Sequence, residues 1–68
     1  MNWELYEVWA EGDDGQEELI ETTNSRKQAF EIAQAQLGLG YFASIVYLEN
    51  EEGDLEKVKR FEISWQSR

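Results

Sequence analysis

The 68-residue chain contains no cysteine and no histidine. The first absence removes disulfide frameworks and thiol nucleophiles. The second removes imidazole bases, and together they remove the usual zinc ligand sets. Basic side chains are scarce as well: six Lys and Arg stand against fifteen Asp and Glu, for a net charge of −9. A surface of that sign repels phosphate, and nucleic-acid affinity comes largely from cations that neutralise phosphates. No nucleic-acid partner is expected, and anionic membranes are disfavoured on the same ground. A basic protein partner fits better, because complementary fields speed encounter. The same charge also keeps a small apolar domain in solution.

Long hydrophobic runs are missing too. The longest, residues 41–48, is far short of the roughly 20 residues that span a bilayer. The opening Met1-Asn2-Trp3-Glu4-Leu5 has neither the basic nor the apolar region of a secretory signal, so the expected compartment is the cytoplasm. The lack of cysteine is compatible with a reducing compartment.

What is present is apolar material: 41% of the residues are hydrophobic, with three each of Trp, Tyr and Phe. That is enough to fold despite the charge, and the length allows one domain, residues 1–68.

Residues 3–10 are rich in aromatic and β-branched types and read as a strand. Gly12-Asp13-Asp14-Gly15 is turn chemistry, and residues 18–23 read as a more polar return strand, completing a hairpin. Ser25 can then cap a helix over 26–37, with Gln28 placed to complete a capping box, and Asn24 is the alternative cap. Ala29, Phe30, Ile32, Ala33 and Leu37 recur at helical spacing, so Phe30, Ala33 and Leu37 are expected against the sheet. Gly38 is the expected left-handed stop, with Gly40 as a second candidate. Residues 41–49 are apolar in both phases, as in a central strand, and an acidic turn around Gly53 leads into a last strand over 55–65. In that strand Val58 is out of phase with Phe61, Ile63 and Trp65, which a bulge near Lys59-Arg60 would reconcile.

The segment Val8–Gly15 aligns with Val46–Gly53 at a constant offset of 38 residues, and Ile20 then matches Val58. The two hairpins are therefore expected to share register and turn; duplication and independent arrival at the same turn chemistry both account for it.

The element order ββαββ gives an α+β fold of two layers: a four-stranded antiparallel sheet, order 2-1-3-4, with one helix on one face. The apolar first and third strands belong in the middle and the charged second and fourth at the edges. Order alone carries no function.

The apolar strand residues number twelve at odd positions and eight at even positions. One helix of about 12 residues, about 18 Å long, covers only one face. The odd set, with Trp3, Trp9, Phe61, Ile63 and Trp65, is the larger and is assigned to the core. The even set is then the uncovered face. Tyr6, Val8, Phe42, Val46 and Leu48 become the candidate protein-contact residues, with Tyr6 and Phe42 as anchors.

No enzyme chemistry is expected. Glu4 and Glu7 lie among aromatics, where burial raises a carboxyl pKa, but strand carboxylates beside Trp are ordinarily solvated. Gly38-Leu39-Gly40 lacks the third glycine of a dinucleotide loop and follows a helix, so no cofactor is expected. The acidic clusters 13–18 and 49–54 lack the ligand spacing and flanking helices of a calcium loop, so no metal is expected. Lys57, Lys59 and Arg60 read as guards on an edge strand.

The leading expectation is a non-enzymatic protein-binding module acting through a sheet face, as a homodimer or with a partner. The alternative is an acidic mimic of nucleic acid that inhibits a basic protein. The acidic residues gather at two hairpin tips, which the expected arrangement of the hairpins puts at one end of the sheet, and that mildly favours the alternative.

Overall fold

A computed structural model describes residues 4–63. The elements are β1 (Leu5–Glu11), β2 (Glu17–Thr23), α1 (Arg26–Gly38), β3 (Ala43–Glu49) and β4 (Leu55–Glu62). The sheet runs β2-β1-β3-β4 with every neighbouring pair antiparallel, and α1 packs on one face. This is the expected two-layer α+β architecture. Tyr41 and Phe42 precede β3 rather than opening it, and Trp3 and Trp65 lie outside the described residues.

Both hairpins turn in the same way. Gly12 N–H donates to Gln16 O and Gly15 N–H to Gly12 O; Asn50 N–H donates to Asp54 O and Gly53 N–H to Asn50 O. Gly15 (φ +83°) and Gly53 (φ +89°) take the left-handed conformation that such loops demand. The pairings Glu11↔Glu17, Trp9↔Leu19 and Val8↔Glu21 recur 38 residues later as Glu49↔Leu55, Tyr47↔Lys57 and Val46↔Lys59. Each edge strand is bulged at the same place, leaving Ile20 in one and Val58 in the other without an opposite number. The expected bulge in β4 therefore sits one residue earlier than Lys59-Arg60. Val8 pairs with Val46, its own equivalent, so the hairpins are related by a local two-fold axis through that pair.

Ser25 caps α1 by accepting the Gln28 N–H at 3.2 Å. The reciprocal half of the capping box is rerouted: Thr23 Oγ1 accepts the Ser25 N–H and donates to Gln28 Oε1. Gly38 stays helical, and it is Gly40 that carries positive φ (+109°) while its N–H donates to Leu37 O.

The helix approaches the sheet through small side chains. Ala29, Ala33 and Gln36 form its buried stripe, with Phe30 and Ile32 flanking it. Leu37, expected at the contact, is only half-buried and stands outside the central cluster. The buried Ser44 hydroxyl donates to Ala33 O at 2.6 Å, a bond that requires the helix backbone to lie close over β3. Below lie Tyr6, Val8, Ala10 and Val46, all essentially fully buried. Val58 and Phe61 pack against this cluster, and Phe61 meets Phe30 edge to face at 5.6 Å between ring centres. The Tyr6 hydroxyl donates to Glu4 Oε1 at 2.6 Å and accepts from Arg26 Nε at 3.3 Å. Its polar tip is thereby satisfied while its ring is buried.

Candidate functional site

The covered and uncovered faces are exchanged relative to the sequence expectation. Of the candidate contact residues, Tyr6, Val8 and Val46 are buried under α1 and Leu48 packs against them. These four are core, not contact surface. The physical reason is twofold. The bulge at Val58 turns Phe61 onto the helix side, away from the odd set. The helix also selects the face that lets it come close, and Ala10 and Ser44 lie on the even face. Phe42 lies outside the strands and is 40% exposed. It lines a 510 Å³ cleft between the first turn and the C-terminal end of α1, with Leu39, Tyr41 and Ile63. The Tyr41 hydroxyl donates to Glu18 at 2.7 Å, and that bond holds the phenol above its usual pKa, so it stays protonated at neutral pH.

The odd residues of β1 and β3, with Glu17 and Leu19 before the β2 bulge and Leu55 and Lys57 before the β4 bulge, form the helix-distal face. Trp9 on β1 meets Tyr47 on β3 edge to face, with ring centres 6.4 Å apart. Ile45, opposite Trp9 in the ladder, is 1% exposed although α1 lies on the other side of the sheet. The face thus carries a small apolar centre of its own. From it an apolar diagonal crosses all four strands: Leu19 on β2, Trp9, Tyr47, then Leu55 on β4. The register places Leu19 beside Trp9, while Leu55 lies one row beyond Lys57, the partner of Tyr47. Its two ends are open, Leu19 at 49% and Leu55 at 42% exposure.

Carboxylates flank the diagonal on both sides. Glu7 accepts the Trp9 indole N–H at 3.0 Å, and Glu17 accepts the Tyr47 hydroxyl at 3.4 Å. Burial and then the Glu17 charge push the Tyr47 phenol above its usual pKa. Glu11 and Glu62 are bridged by Arg60, at 3.1 and 2.8 Å, and Glu49 occupies the far row. Five carboxylates face two cations, Arg60 and Lys57, and Arg60 is already paired.

This arrangement can position aromatic rings and offer carboxylate acceptors. Among the described residues no group of His, Cys, Asp or Glu is arranged to hold a metal ion. No described helix is long and apolar enough to cross a membrane. The acidic tips lie at opposite ends of the sheet, because β1 runs against β3 with Leu5 opposite Glu49 and Glu11 opposite Ala43. The single acidic end that would have favoured a nucleic-acid mimic is not formed.

In the sequence, Leu19, Trp9, Ile45, Tyr47 and Leu55 belong to the odd apolar set, which the count by phase assigns to the core. The usable signal was polarity: Glu7, Glu11, Glu17 and Glu49 share that phase, and carboxylates do not belong under a helix.

Comparison with protein-family models, with curated proteins and with solved structures finds no match to this chain.

Proposed function

We propose that the domain is a non-enzymatic protein-binding module whose contact surface is the sheet face turned away from α1. The observation that carries this reading is the diagonal Leu19–Trp9–Tyr47–Leu55, an apolar stripe that no described element covers. Aromatic anchors of this kind give large contact area at small entropic cost. Self-association across this face sets carboxylates against carboxylates, so a different protein is the favoured partner. A reducing, cytoplasmic setting is part of this reading, and the cysteine-free sequence is compatible with it.

The test replaces the open ends of the stripe. Leu19→Asp with Leu55→Asp should leave the circular dichroism spectrum and melting temperature close to wild type, since both side chains are largely exposed. The same variant should lose the proteins that wild type captures from its native host. An unchanged captured set overturns the proposal. Sedimentation equilibrium at high micromolar concentration should find a monomer; a dimer abolished by the double variant would transfer the proposal to self-association.

A further inference from the structure

Resting on that reading of the face, we infer that its occupant is a basic amphipathic helix of the partner protein, laid along the diagonal with its apolar stripe on Trp9 and Tyr47 and its cations against the flanking carboxylates. Three observations lead there. The edges are poor docking sites for an added strand. β2 and β4 are each bulged, at Ile20 and Val58, and a bulge breaks the ladder that an incoming strand must continue. The face remains, and the element that packs on a sheet face with an apolar stripe is a helix. α1 already does this on the opposite side of the same sheet, so a second helix completes a three-layer sandwich.

Charge sets the helix's composition. Glu11, Glu17 and Glu62 lie on one side of the diagonal together with Arg60 and Lys57, three negative charges against two positive, and Glu7 and Glu49 lie on the other. A helix with lysine or arginine on both flanks of its apolar stripe meets carboxylates on both sides. One with acidic flanks meets like charge on both. Glu7 and Glu17 are particularly placed for this. Each uses its Oε1 to hold an aromatic hydroxyl or indole of the diagonal, which leaves the other oxygen to accept from an incoming cation beside that ring. A cation over Trp9 or Tyr47 is further favoured by the ring face.

The probe is a synthetic helix of about 18 residues, long enough to form in isolation with helix-favouring residues, with leucines at helical spacing and lysines on both flanks. Its twin carries glutamates on the flanks, and a third peptide has the lysine sequence scrambled. Each is titrated into isotopically labelled full-length protein and followed by amide and indole chemical shifts. The lysine helix should shift Leu19, Trp9, Tyr47 and Leu55 saturably, with affinity falling about tenfold or more as salt shortens the Debye length to a few ångströms. Glu7→Gln with Glu17→Gln keeps both hydrogen-bond acceptors and removes two charges, so it should weaken binding roughly tenfold without moving the melting temperature. Equal binding of the glutamate twin overturns the basic partner and leaves the face standing as a contact surface. Equal binding of the scrambled peptide overturns the helix. Shifts confined to α1 or the hairpin tips overturn both this inference and the reading of the face. No shift with any peptide overturns the inference alone, and the capture experiment with the Leu19 and Leu55 variant then judges the face separately.

Discussion

The two faces of the sheet solve the problem of covering it by opposite means. Under α1 the interface is made of small side chains, with Ala10, Ala29, Ala33 and Ser44 letting backbones approach, and a buried Ser44–Ala33 hydrogen bond fixes the spacing. On the far face the described residues form no second layer, and large side chains lie over the sheet themselves. Trp9 and Tyr47 flank the buried Ile45 and are held by Glu7 and Glu17. The helix side therefore carries the close-packed core, and the far side is the face to which the proposed reading assigns recognition. The helix side is intolerant of volume change, as close-packed interiors are. The far side is half-exposed and tolerates replacement at its ends.

The sharpest break of this comparison is on the helix side. Phe30→Ala removes the partner of Phe61 and should cost about 3 kcal/mol, a large part of the stability of so small a domain. A denaturation midpoint unmoved by that change would take the helix face out of the core. Ala33→Leu tests the opposite sign of volume. Three additional carbon atoms do not fit where Ala33 meets the sheet, and the expected loss is about 2 kcal/mol by urea denaturation. Tolerance of leucine there would mean that the helix rides higher than Ser44 requires.

The effects on the far face are smaller. A double-mutant cycle over Trp9→Leu and Tyr47→Leu should give a coupling of about 1 kcal/mol, the usual worth of an edge-to-face pair. Strict additivity would show that the two rings merely share a neighbourhood. The smallest effect is alkaline. Tyr47 is raised by burial and by Glu17, and Tyr41 by its hydrogen bond to Glu18. In the unfolded chain such phenols ionise near pH 10. A folded value above the unfolded one contributes stability that is full below pH 10 and is lost as pH rises through the raised values. Phenolate absorbance should thus develop late in the folded protein, and Tyr47→Phe should delete part of the late component. A late component of unchanged size in that variant would relieve Glu17 of its role.

Much of the architecture is legible in the residues because each signal there is local. Ser25 before a run without glycine marks the start of the helix, and Gly15 and Gly53 mark the two turns. Strand order follows from which strands carry charge. The choice of face is not local. It depends on a single extra residue in β4, which carries Phe61 across the sheet, and on Ser44 and Gln36, polar residues that a hydrophobic count omits from the core. Counting apolar residues by phase weighs volume, while a closely docked helix rewards the absence of volume. The candidate site inherited that inversion: Tyr6, Val8 and Val46 were chosen for a face on which they do not lie. The bulge in β2 was visible only by carrying Ile20 over to Val58 through the offset of 38.

That Val8 stands opposite Val46, its own counterpart, has a consequence for assembly. Two identical hairpins meeting at such a pair would make a symmetrical homodimer, residue 8 against residue 8. Here both hairpins are in one polypeptide, and the stretch through α1 is the tether that keeps them together. Tethering turns an encounter that depends on protein concentration into one set by the reach of the connection. The sheet can then hold at dilutions where separate hairpins would part. It also leaves the halves free to differ: β2 is acidic, while β4 carries Lys57, Lys59 and Arg60. A true dimer, bound to keep both copies alike, could never present those two different borders.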